Sequence, residues 1–178
     1  MTHKMTKNEY TKAILDLIKV RLRLKKDNDK SDAAKHLDYL YGQALRGYEI
    51  FGKKYASRAA QEEYETLGNR GPISQWQMRQ CKEFEKRGRL KGAFQFEHVY
   101  TIHMFDKAIC SLPVSDVNED SIIQIVNSNY AVAWITKDED RLLDEHYKSD
   151  RGKTLADALD IYKRLGIELI DENGKAVD

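Results

Sequence analysis

The sequence predicts an α+β fold, mostly α, with a helical N-terminal body and a small two- or three-stranded sheet in the C-terminal half. Three observations lead there. Apolar residues recur at helical spacing through most of the first half of the chain, as at Tyr10, Ile14, Leu17 and Ile18. Short aliphatic and aromatic runs of strand character appear only after Phe94. Only 2 prolines and 10 glycines interrupt the 178 residues, too few for long linkers. A chain this long can bury a sizeable core without a disulfide or metal staple.

Thr6 with Glu9 forms a capping-box pattern, S/T-x-x-E, that opens a helix running to about Lys26. Asn28-Asp29-Lys30-Ser31 is a turn. A second helix begins near Ser31 or Asp32 and carries Leu37, Leu40, Tyr41, Ala44, Leu45, Tyr48 and Phe51 on one stripe. Gly42 and Gly47 lie inside it, each costing about 1 kcal/mol against alanine unless a neighbour packs closely there; close packing is the expected reason. A short helix spans Ser57 to Leu67, and Gly68-Asn69-Arg70-Gly71-Pro72 is the clearest loop. A helix from about Ser74 to Arg87 follows, with Ile73, Trp76, Cys81 and Phe84 inward and Gly88 as its stop.

Beyond it, residues 93–97 read as a short extended piece and the chain from there to Ser111 as a helix ended by Pro113. A helix over 118–127 precedes a strand over Tyr130-Ala-Val-Ala-Trp-Ile135. Thr136 with Glu139 caps a helix over 137–147, and Thr154 caps another that ends at Gly166. Ile167-Glu-Leu-Ile170 is a last short strand.

No apolar run approaches the length of a membrane span, and the N-terminus has no apolar core of a secretory signal. Cys81 and Cys110 are too few for a disulfide framework and read as reduced core thiols, so the expected location is cytoplasmic.

The near-neutral net charge of +1 hides an asymmetry along the chain. Residues 1–92, a basic helical region, carry 21 Lys+Arg against 12 Asp+Glu; residues 93–178, an acidic α+β region, carry 9 against 17. The two regions read as one compact domain or two tightly packed subdomains. Opposite-sign halves are a cue for nucleic acid on the basic side. The candidate phosphate contacts are Arg21, Arg23, Lys25 and Lys26 on the first helix and Arg79, Lys82, Lys86, Arg87, Arg89 and Lys91 near the fourth, expected to share one positive surface. Tyr39, Tyr41, Tyr48 and Tyr55 interleave with Lys35, Arg46, Lys53, Lys54 and Arg58, a pattern that can stack single strands. Tyr41 and Tyr48 lie on the apolar stripe and read as core.

Nucleotide-binding loops, zinc-ligand spacings and nucleophile elbows are all absent from the sequence. The densest chemistry is Phe96-Glu97-His98-Val99-Tyr100-Thr101-Ile102-His103-Met104-Phe105-Asp106. Imidazole is both a metal ligand and a base near neutrality, and Glu97 beside His98 can share a cation with it or set its tautomer. This acidic residue–His pair resembles the first element of the HNH (ββα-metal) nucleases. The resemblance covers two residues, and the later Asn and His of that motif have no counterpart, so the family is not assigned. On this reading Glu97, His98 and His103 are the candidate catalytic residues, with Glu97 and His98 as ligands of a divalent metal ion. The plainer reading of His98 and His103 is as hydrogen-bonded core residues. Asp138, Glu139, Asp140, Asp144 and Glu145 form an acidic face that suits a helix N-terminus and offers a second place for a cation.

Three functions follow as expectations: a nucleic-acid-binding protein, a small metal-dependent nuclease or DNA-processing enzyme, and a protein–protein interaction module or inhibitor that pairs its charged halves with a partner or a second copy.

Overall fold

Thr6 accepts a hydrogen bond from the Glu9 amide while the Glu9 carboxylate returns one from the Thr6 amide, at 3.2 and 2.8 Å. The reciprocal cap satisfies two of the N–H groups that every helix start leaves open, and it opens α1, Lys7–Lys26. A computed structural model describes residues 4–76 and 93–177. Over these residues the fold class is the one expected, 59% helical with a small sheet mostly in the C-terminal half.

Ser31 caps α2, Asp32–Arg46, through a bond from the Ala34 amide, and the turn before it places Asn28 at φ 53°, the left-handed region asparagine tolerates. The periodic stripe read as one helix to Phe51 breaks at Gly47, where a 3-10 turn, Gly47–Ile50, takes over. The strand β1, Lys53–Ser57, leads into α3, Arg58–Thr66, capped by Ser57. Ile73–Gln75 forms a 3-10 turn and Trp76 is extended, so the helix expected from Ser74 does not start there; its later part, with Cys81, Phe84 and Gly88, lies outside the described residues.

Then come β2, Phe94–His98; α4, Ile102–Cys110; α5, Glu119–Asn129; β3, Ala131–Thr136; α6, Lys137–His146; α7, Leu155–Arg164; and β4, Leu169–Ile170. Capping boxes at Thr136–Glu139 and Thr154–Asp157 open α6 and α7 as expected. Asn118 with Ser121 supplies a further one for α5. No described helix is long and apolar enough to cross a membrane.

The chain forms two compact units, Met1–Gly52 with Ile102–Tyr130 and Lys53–Thr101 with Ala131–Asp178. The first is helical. Its core is aromatic: the buried Tyr48 ring meets Tyr10, Phe105 and Tyr130 at centroid distances of 5.1, 5.5 and 6.1 Å. Phenols need partners when buried. Tyr48 Oη shares a 2.8 Å hydrogen bond with Thr11 Oγ1, and Tyr130 Oη donates to the Leu45 carbonyl at 3.1 Å. Gly47 has the packing reason expected of it, since a Cβ there would lie 1.9 Å from Tyr10 Oη. Gly42 has none: the nearest group to a Cβ is Arg46 Nη1 at 3.6 Å, an ordinary contact.

The second unit holds the sheet, in the order β2-β3-β1-β4. β1 runs parallel to β3, with Tyr55 opposite Ala133, and antiparallel to β4; β2 runs antiparallel to β3, with Glu97 opposite Ala133. Among the described residues the sheet thus has four strands where two or three were expected. The extra one, β1, is an internal strand with the sequence Lys-Lys-Tyr-Ala-Ser. Its local β-propensity is low, and its pairing partners lie far along the chain, so tertiary context makes it a strand. On one face Ala56, Ala60, Tyr64, Ile73, Phe94, Trp134 and Ile170 pack together, with Trp76 and Phe96 against them.

Candidate functional site

Strand pleating sends successive side chains to opposite faces. On β2 this puts Phe94 and Phe96 in the aromatic cluster and Glu97 on the other face, and the His98 ring lies 6.4 Å from that of Phe96. Glu97 and His98 therefore do not converge on one point. Glu97 is instead committed to Arg151, a residue only 2% exposed, whose Nη2 lies 2.8 Å from Glu97 Oε1. Arg151 Nη1 donates to the His98 carbonyl and to Tyr162 Oη, both at 3.0 Å, and the guanidinium sits over the Tyr162 ring, 5.5 Å from its centroid.

The same loop is tied down twice more. Thr101 Oγ1 donates to the Ser149 carbonyl at 2.6 Å, and Tyr100 Oη to that of Lys153 at 3.4 Å. Burial, with Asp140 and Asp144 nearby, lifts the Glu97 carboxyl above its ordinary range against the pull of Arg151. The arrangement is a clamp fastening the segment around Arg151 to the end of β2. Sequence reasoning missed Arg151; a lone arginine in a polar stretch gives no sign that it will be buried.

His103 is exposed on α4 in the helical unit, so it is not a core residue. Glu139 caps α6 and accepts from Ser57 Oγ at 2.6 Å, which gives one member of the acidic face a structural task. Among the described residues no group of three or more His, Cys, Asp or Glu side chains could hold a metal ion.

The basic residues of α1 divide by helical phase. Arg21 turns inward, and Lys25, itself exposed, reaches back to the same acidic residue, Asp106. Arg21 Nε bonds Asp38 at 2.8 Å, and its guanidinium lies 5.1 Å over the Tyr41 ring and 3.7 Å from Asp106. Lys25 Nζ is 3.3 Å from Asp106 Oδ2 and from Cys110 Sγ, and Tyr41 Oη donates to Asp106 at 3.0 Å. Burial pushes the Asp106 carboxyl up, but Arg21, Lys25 and the hydrogen bonds from Tyr41 and Cys110 outweigh it and hold it below the ordinary 3.8. Cys110 is half-exposed at the edge of this cluster, not in the core; burial and Asp106 push its thiol up. Cys81 lies outside the described residues.

A depressed carboxyl contributes stability above its unfolded value, and that stability is lost as pH falls through the folded value. Asp106→Asn is therefore expected to remove part of the stability lost on acidification below 3.8, read as a flatter denaturation midpoint against pH in the acid range. An unchanged acid limb would assign that loss to other carboxylates.

Arg23 and Lys26 are exposed, as is Lys12, and their side chains and that of the half-buried Lys19 make no ion pair or hydrogen bond among the described residues. Positions 12, 19, 23 and 26 fall on one helical stripe, with the exposed Asp16 inside it. Arg79, Lys82, Lys86, Arg87, Arg89 and Lys91 lie outside the described residues.

The chain-wise charge split does not carry over to the folded units. The helical unit has 12 Lys+Arg against 11 Asp+Glu, and the sheet unit 18 against 18, of which residues 77–92 contribute 6 and 2. Return of α4 and α5 to the helical unit brings Asp106, Asp116, Glu119 and Asp120 with them. Compared with known protein families, curated proteins and solved structures, the chain matches none.

Proposed function

We propose that this protein binds nucleic acid through its helical unit, as an accessory or regulatory factor, with no hydrolytic step. The observation that carries the reading is the α1 stripe of Lys12, Lys19, Arg23 and Lys26, cations turned away from the unit's core and left without ion partners among the described residues while Arg21 and Lys25 beside them are neutralised. Unpaired cations in a line release counterions when they meet phosphates, which is the main source of non-specific affinity. Binding is preferred over cleavage because Glu97, the carboxylate offered for catalysis, is held by a buried arginine.

The test is a salt-dependent binding assay on DNA and RNA, run beside a cleavage assay in Mg²⁺ and Mn²⁺. Replacing Lys12, Arg23 and Lys26 together with Glu is expected to weaken binding across sequences and to flatten the salt slope by about 2–3. Cleavage that Glu97→Gln abolishes would restore the nuclease reading. Indifference of the wild-type protein to every nucleic acid would leave the protein–protein alternative.

A further inference from the structure

We infer that the outward face of α2 is a stacking platform for single-stranded nucleic acid, with Tyr39 as the stacking ring, Gly42 as the open floor beside it, and Lys35 and Arg46 as phosphate contacts. The inference rests on the nucleic-acid reading above and adds the strandedness of the ligand and the residues that select it.

Positions 35, 39, 42 and 46 recur at i, i+4, i+7 and i+11, so they form one line along the helix. At 1.5 Å per residue the line is about 16 Å long, enough for two or three nucleotides. Of the tyrosines that the sequence interleaves with cations, Tyr41 and Tyr48 are buried in the helical unit. Tyr39 is 62% exposed. The His36 ring is its neighbour, nearly parallel at 27° with 6.4 Å between centroids. An exposed aromatic ring is what an unpaired base needs, since every base has a stackable face.

Gly42 is the second observation. A glycine inside a helix is destabilising relative to alanine, and at Gly47 the approach of Tyr10 accounts for it. At Gly42 nothing in the fold demands the missing side chain; only Arg46 Nη1 comes near. The gap lies one turn from Tyr39 on the same line, where it leaves room for a planar group lying on the tyrosine.

The charges are complementary. The Arg46 side chain makes no ion pair or hydrogen bond among the described residues. Lys35 pairs with Asp32 at 2.8 Å, but both side chains are largely in solvent, and such a pair exchanges readily for a phosphate. In a duplex the bases are already stacked on one another and unavailable to Tyr39, so the platform selects single strands.

The experiment is fluorescence anisotropy with a labelled oligothymidylate of about 20 nucleotides and a duplex of the same length. It compares wild-type protein, Tyr39→Ala, Gly42→Leu and the Lys12/Arg23/Lys26→Glu variant. Tyr39→Ala is expected to weaken single-strand binding roughly ten- to a hundred-fold and to leave duplex binding unchanged. Gly42→Leu, which fills the floor, is expected to do the same with a melting temperature at or above that of the wild type, because leucine is the better helix former. Single-strand affinity unchanged in both variants overturns the platform and leaves the nucleic-acid reading standing. Absence of any binding by the wild-type protein overturns both.

Discussion

Glu97→Ala is expected to lower the stability of the protein by about 3–5 kcal/mol, the cost of leaving a buried charge without its partner. Arg151 is too deeply placed to recover water, and its Nη2 would lose the Glu97 carboxylate at 2.8 Å. Most native domains are stable by only about 5–15 kcal/mol, so the variant should show a large fall in urea midpoint. Glu97→Gln, which keeps an acceptor but loses the charge, should lie between alanine and wild type. Replacing the pair together, Glu97→Leu with Arg151→Met, should recover much of the loss, because an apolar pair of similar volume needs no desolvation. The double-mutant cycle then separates the pair's coupling from the packing of each side chain. The sequence alone offers Glu97 as a catalytic carboxylate and metal ligand. A Glu97→Ala protein that melts like the wild type would return Glu97 to the candidate active site.

Trp134→Ala carries the other large effect, about 3–5 kcal/mol for emptying a large aromatic site in a core. Trp134 lies in the middle of β3, 2% exposed, with Phe96 at a centroid distance of 4.9 Å. Its Nε1 donates to the Trp76 carbonyl at 3.1 Å. Truncation removes the indole from the cluster of Ala56, Tyr64, Ile73 and Phe94 and leaves that carbonyl without this donor. Trp134→Phe should cost less, since it keeps most of the volume and loses only the hydrogen bond. Chemical denaturation measures both. With 2 tryptophans in the chain, the alanine variant also reports on Trp76 alone by fluorescence. A midpoint within about 0.5 kcal/mol of wild type would mean that the cluster is not the sheet unit's core.

Helix starts were legible because a cap is a local device. Thr6 with Glu9, Ser31, Thr136 with Glu139 and Thr154 with Asp157 each act within four residues, so their pattern in the sequence is their structure. Strand β3 was legible for a similar reason, since Ala-Val-Ala-Trp-Ile is apolar whatever lies beside it. The candidate site was much less so. Adjacent Glu97 and His98 suggest a shared ion only while the backbone between them is unspecified; the pleat of β2 parts their side chains. The basic stretch from Arg21 to Lys26 suggests one phosphate-binding patch until helical phase turns Arg21 and Lys25 towards Asp106 and leaves Arg23 and Lys26 in solvent.

By itself the sequence determined the fold class, most helix boundaries and the apolar stripe of α2 as far as Leu45, all of which follow from periodicity and capping within a few turns of chain. Tertiary structure alone decided that Lys-Lys-Tyr-Ala-Ser is an internal strand, that Arg151 is the buried partner of Glu97, and that Gly47 answers to Tyr10 while Gly42 does not. It also decided the charge of each unit, because α4 and α5 return acidic residues to the helices of the basic half. Each of these depends on groups far apart in the chain, where burial and pairing override local preference.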